Sequence, residues 1–148
     1  MTPSRIGKFI LAISGILLVF GFIGILLPSG GGERPFRSKA ETREFRGWFP
    51  RFLPESSSDL HIKYLLHNSE AWGRFSFDAS DSQALTELLS PQRTPGVRIT
   101  SPKSPWWDER ALEREKAFCY TLRERDAGTF VIVVDWANRV VYFWRPPT

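Results

Sequence analysis

Residues 9–27, FILAISGILLVFGFIGILL, contain no charged side chain. As a helix this run would be about 28 Å long, close to the hydrocarbon thickness of a bilayer. A secretory signal has a shorter apolar region and small residues at its cleavage site, whereas Leu27 and Pro28 stand there in this chain. The run therefore predicts an uncleaved, single-pass transmembrane helix at 9–27, preceded by a short tail at 1–8. Arg5 and Lys8 before it favour a cytoplasmic N-terminus, while Arg34, Arg37, Lys39, Arg43 and Arg46 after it pull the other way. Because a folded domain is translocated with little regard to charge, the expected topology places the domain on the exported, periplasmic side of the inner membrane. Gly7, Ser14 and Gly21 recur every seven residues and offer a face for helix–helix association, though small residues are also common in any spanning helix.

Residues 28–54 read as a linker that ends in an aromatic and basic juxtamembrane segment. PSGGGERPFRSKAE has the composition of a flexible connection, and REFRGWFPRFLP follows it. Phe45, Trp48, Phe49, Phe52 and Leu53 fall at i, i+3, i+4, i+7 and i+8, an apolar helical stripe, with Arg43, Arg46 and Arg51 largely off it. Pro50 interrupts any regular helix. Two roles fit: rings at the lipid headgroups with arginines on anionic lipid, or rings docked on the adjoining domain.

The folded domain is expected at 55–148. Leu60, Ile62, Tyr64 and Leu66 alternate with His61, Lys63, Leu65 and His67, the pattern of a half-buried strand; NSEAWG reads as a turn and RFSFD as the returning strand with Phe75 and Phe77 inward. Ser80 and Gln83 have the spacing of a capping box before a helix with Ala84, Leu85, Leu88 and Leu89 on one face, ended by Pro91. After a proline-rich loop, Ser104 and Pro105 suggest the start of a second short helix carrying Trp106 and Trp107 in its first turn. The last third, AFCYTLRERDAGTFVIVVDWANRVVYFWR, predicts a three-stranded meander. The sum is an α+β fold of order ββα(α)βββ: one antiparallel sheet covered on one face by short helices.

The segments LPESSSDLHIKY, GRFSFD, WW, CYTL and VVDWANRVVYFWR, spread over residues 53–145, together resemble a loosely defined family of small bacterial proteins carrying an N-terminal membrane anchor or lipid attachment. Ser57 stands where that pattern commonly has Ala. The resemblance implies an envelope location and a shared fold, and brings no chemistry with it.

With 20 Lys+Arg against 16 Asp+Glu the charge is mixed, and nucleic acid is not an expected partner. No nucleophile elbow, phosphate loop, dinucleotide fingerprint or metal-binding Cys/His spacing occurs, and no cofactor is expected. Cys119 is the sole cysteine and sits in an apolar strand. The leading expectation is a membrane-tethered, non-enzymatic interaction or accessory domain of the envelope, with the bilayer and an envelope protein as partners. Its alternative is a small-ligand or glycan-binding module, or a weak hydrolase with carboxylates from Asp78, Asp108 and Asp135. Trp106 and Trp107 are the candidate ligand or partner surface, one of them expected to close the core and the other to lie at its edge.

Overall fold

Residues 130–134, FVIVV, lack any polar alternation, and a strand that is apolar on both sides needs cover on both faces of its sheet. The structure, a computed structural model that describes residues 30–148, supplies both covers. The expected spanning helix at 9–27 and its Gly7, Ser14 and Gly21 lie outside the described residues. Among the described residues no helix is long and apolar enough to cross a membrane.

The elements are β1 (Gly31–Ser38), a 3-10 segment (Lys39–Phe45), β2 (Ser58–Leu65), β3 (Glu70–Ser76), helix α1 (Ser82–Leu89), helix α2 (Glu109–Glu115), β4 (Cys119–Glu124), β5 (Gly128–Asp135) and β6 (Val140–Arg145). They build one antiparallel sheet of six strands in the order β1-β2-β3-β6-β5-β4. Two features differ from the expected ββα(α)βββ sheet with a single cover. A sixth strand is present, and the sheet has packed side chains on both faces.

The sixth strand, β1, comes from residues whose glycines, proline and charges read as linker. Gly31 and Gly32 face Tyr64 so closely that a Cβ would lie 2.5 Å from its carbonyl oxygen and 2.8 Å from its hydroxyl. Here the glycines permit strand pairing rather than flexibility. Pro35 and the charges of Glu33, Arg34 and Arg37 suit an edge strand, where they discourage pairing with another chain. The compact unit accordingly runs from Gly31 to Thr148, not from residue 55.

On the first face, Leu60, Ile62, Phe75, Phe130, Ile132, Val134, Val141 and Phe143 are buried under Phe49 and Leu53 and under Leu85 and Leu89 of α1. On the second face, Trp72, Val140 and Tyr142 pack with Trp107 and Ala111, while Cys119, Val131 and Val133 pack with Val97, Ile99 and Leu112. This second cover is built by the proline-rich loop and α2. The loop is fastened where the Trp72 indole N–H donates to the Thr100 carbonyl (2.9 Å) and the Lys63 ammonium to the Pro102 carbonyl (2.6 Å).

Local signals held in part. Leu60, Ile62, Phe75 and Phe77 point inward, and Leu85 and Leu89 form the buried stripe of α1, but Ala84 and Leu88 are exposed. Residues 70–73, expected in a turn, belong to β3. Gly73 lies opposite Phe143, and a Cβ there would come within 2.0 Å of that ring, so only glycine lets Phe143 lie flat across the strand. Asp81 rather than Ser80 precedes α1, without a side-chain cap. Asp108 rather than Ser104 caps α2, accepting from the backbone N–H groups of Arg110 and Ala111 at 2.9 and 3.0 Å. The competing cap won because Asp108, four residues nearer the helix than Ser104, reaches both donors.

Candidate functional site

The apolar stripe of residues 45–53 folds onto the first face of the sheet as a run of tight turns, with the Trp48 N–H donating to Phe45 O and the Leu53 N–H to Pro50 O. Phe49 is 2 % exposed, its ring edge-on to Phe36 and Phe143 with centroids 5.9 and 5.6 Å apart. Phe45 and Trp48 rest on Tyr64, and Phe52 on Phe75. Arg34 covers Phe45, and Arg145 covers Trp48 while donating to the Gly47 carbonyl. Phe49 docks on the domain and has no surface left to offer a lipid, while Phe45, Trp48 and Phe52 are half-buried against it.

The arginines remain outside. Arg43, Arg46 and Arg51 line an open cleft of about 800 Å³ with Lys39, Glu55 and Asp126, over a floor that includes Phe49, Pro50 and Leu53. Lys39 pairs with Glu55 (2.5 Å) and Arg51 with Asp126 (2.6 Å), whereas Arg43 and Arg46 make no ion pair among the described residues. Four cations against two carboxylates give the cleft an excess of two positive charges. Lys39, Arg43 and Arg46 are spaced by four and three residues, a signal visible in the sequence; Asp126, brought in from the β4–β5 turn, left none.

Beside the cleft, Glu124 accepts the Arg51 backbone N–H at 2.7 Å. Burial pushes its carboxyl above the ordinary value of 4.5, opposed by that N–H and by the Arg51 charge. A raised folded value means that protonated Glu124 favours the fold, a contribution complete below pH 4.5 and lost as pH rises through the raised value. Glu124→Gln, which keeps an acceptor for Arg51, should therefore raise the melting temperature at pH 7 by about 1–3 °C, solvent screening keeping the effect small, and leave it unchanged at pH 4. Melts at both pH values check this.

The two tryptophans divide. Trp107 is 6 % exposed and edge-on to Tyr142 with centroids 5.4 Å apart, in the second-face core. Trp106 lies at its margin: one ring face stacks on His61 (5.3 Å, 19°), its edge meets Trp107, and its N–H donates to Glu33 Oε1 at 2.6 Å. Ser104 donates to the other Glu33 oxygen at 2.9 Å. Trp106 thus fastens the loop to β1 and β2. Arg74, held by Asp59 at 2.9 Å, shares with Trp106, Trp107, Asp108 and Tyr142 a second, shallower cleft of about 690 Å³. Sequence reasoning did not single out Glu33, whose partners Ser104 and Trp106 lie far along the chain, nor Asp59 and Arg74, which meet across the β2–β3 hairpin.

The carboxylates considered for hydrolysis have structural partners in two cases. Asp108 caps α2, and Asp135, 3 % exposed, accepts from Asn138 and Arg114. Asp78 is exposed beside Ser56. Cys119 is 1 % exposed and burial pushes its thiol up, away from the thiolate a nucleophile needs. Among the described residues no group of His, Cys, Asp and Glu is placed to hold a metal ion.

Residues 33–76 match the model of the YbbD head domain family. The match points to a small accessory domain. It runs from β1 through the 3-10 segment to the end of β3, so the family pattern joins the arginine-bearing segment and the first hairpin in one unit. No curated protein and no solved structure matches the chain.

Proposed function

We propose that the chain is a membrane-tethered, non-enzymatic interaction domain of the bacterial cell envelope. The observation that carries this reading is the uncharged run at 9–27, followed in sequence by residues 28–30 alone before β1 begins. With the run spanning the inner membrane once, the domain would face the periplasm and an envelope protein partner. The resemblance over residues 53–145 to anchored envelope proteins supports the location, and the match to a small head domain supports an accessory role.

Carbonate extraction of native membranes, followed by mass analysis of the N-terminus, tests the tether. Retention of the whole chain in the membrane is expected; a soluble species beginning near Gly30 contradicts it. For topology, exposed Ser80 serves as the cysteine reporter, since the native Cys119 is buried. Labelling of Ser80→Cys by an impermeant reagent in cells with a permeabilised outer membrane is expected.

A second reading, a small-ligand or glycan module, rests on the shallow cleft beside Trp106. Against it, one face of that ring is already taken by His61.

A further inference from the structure

We propose that the cleft lined by Lys39, Arg43, Arg46 and Arg51 is a binding site for a phosphate group. The proposal does not depend on the membrane tether.

Four observations carry it. First, the rings that alternate with these cations are locked into the sheet, with Phe49 and Leu53 buried, so the arginines stand on a backbone that is already ordered. Ordering costs that weaken most surface arginine clusters are thereby reduced. Second, Arg43 and Arg46 have no carboxylate partner among the described residues, so no ion pair must break before they engage a ligand. Third, the counter-ions that are present are displaceable. Glu55 is 89 % exposed and Asp126 64 % exposed at the side chain, and exposed pairs of this kind contribute little. Fourth, the floor formed by Phe49, Pro50 and Leu53 is a low-dielectric wall behind the charges, which strengthens their field in the cleft.

Phosphate fits this arrangement better than a single carboxylate does. The cleft's excess of two positive charges matches the charge of about −1.5 to −2 on a phosphate monoester at neutral pH. Guanidinium forks also bind phosphate oxygens in pairs, which an ammonium cannot do. The group could be carried by the headgroup of an anionic lipid or could arrive as a free phosphate.

The test uses the full chain in a neutral detergent, titrated calorimetrically with inorganic phosphate and, separately, with a short-chain phosphatidic acid. Saturable binding at one site is expected, with the two ligands competing and affinity falling as salt rises. Arg43→Gln/Arg46→Gln should weaken both ligands by about tenfold or more, the usual weight of hydrogen bonds to charged groups. Its melting temperature should stay close to that of the wild type, because both side chains are exposed; the single variants, each with a smaller loss, provide the same readout if the double variant is less stable. Tighter binding of the lipid than of inorganic phosphate assigns the site to a headgroup, and equal binding assigns it to free phosphate. Absence of binding by both ligands at about 10 mM, where even a site built from a few such bonds should fill, overturns the proposal. Undiminished binding in the double variant, or an equal loss in Arg110→Gln/Arg123→Gln on other elements, overturns it as well.

Discussion

Aspartate at Val134 and, in a separate variant, at Val133 is expected to abolish the fold of residues 31–148. The two side chains are neighbours on β5 and point to opposite faces: Val134, 0 % exposed, lies among Phe130, Ile132 and Val141, and Val133, 3 % exposed, lies with Cys119 and Val131. The core clusters around both sites are apolar, with Tyr142 opposite Val133 on β6, so each variant must bury a charge or a protonated acid in a packed core, at a cost of several kcal/mol. That is a large part of the roughly 5–15 kcal/mol by which domains are stable. A sheet with one open face would accept aspartate at one of the two positions. Loss of the cooperative melt in both variants is expected, and a native melt for Val133→Asp would refute the second cover.

Phe49→Ala should lower stability by about 3–5 kcal/mol, the range for removing a fully buried aromatic ring. The ring sits between Phe36 of β1 and Phe143 of β6, so its removal opens a cavity where the edge of the sheet, its centre and the arginine-bearing segment meet. In a domain of this size that corresponds to a fall in melting temperature of about 10–25 °C. Trp48→Ala should cost less, because Trp48 is half-exposed and leans on Tyr64 from outside. Equal and small effects of the two substitutions would show that the stripe adds nothing to the core.

The strands of the last third were legible because β-branched and aromatic runs separated by turn residues admit one local reading, and β2 was legible from its alternation. The same β5 run also held the sign of a second cover, since five consecutive apolar residues have no solvent face, but the residues that supply that cover did not. Val97 and Ile99 lie in a loop with no periodicity, and Trp107 sits in a turn where its neighbour Trp106 looks equivalent. What separates them is Glu33, some 70 residues away, which takes the indole N–H of Trp106. β1 was hidden for a related reason. Its glycines, proline and charges have low strand propensity, and only the pairing with β2 and the close fit against Tyr64 make it a strand. In residues 43–53 the division between stripe and arginines could be read directly, while the surface receiving the stripe could not, because helical spacing states that a face is apolar and not what it meets.

That division is most directly tested by limited trypsin digestion of the full chain in detergent. Residues 34–51 hold Arg34, Arg37, Lys39, Arg43, Arg46 and Arg51, and a flexible linker of that composition would be cut first, leaving a fragment that begins at or before Phe52. With the segment packed on the sheet by Phe49 and Leu53, the bonds between residues 36 and 52 should instead survive until the domain unfolds. Early cleavage after Arg43, Arg46 or Arg51 with a folded remainder would contradict the account.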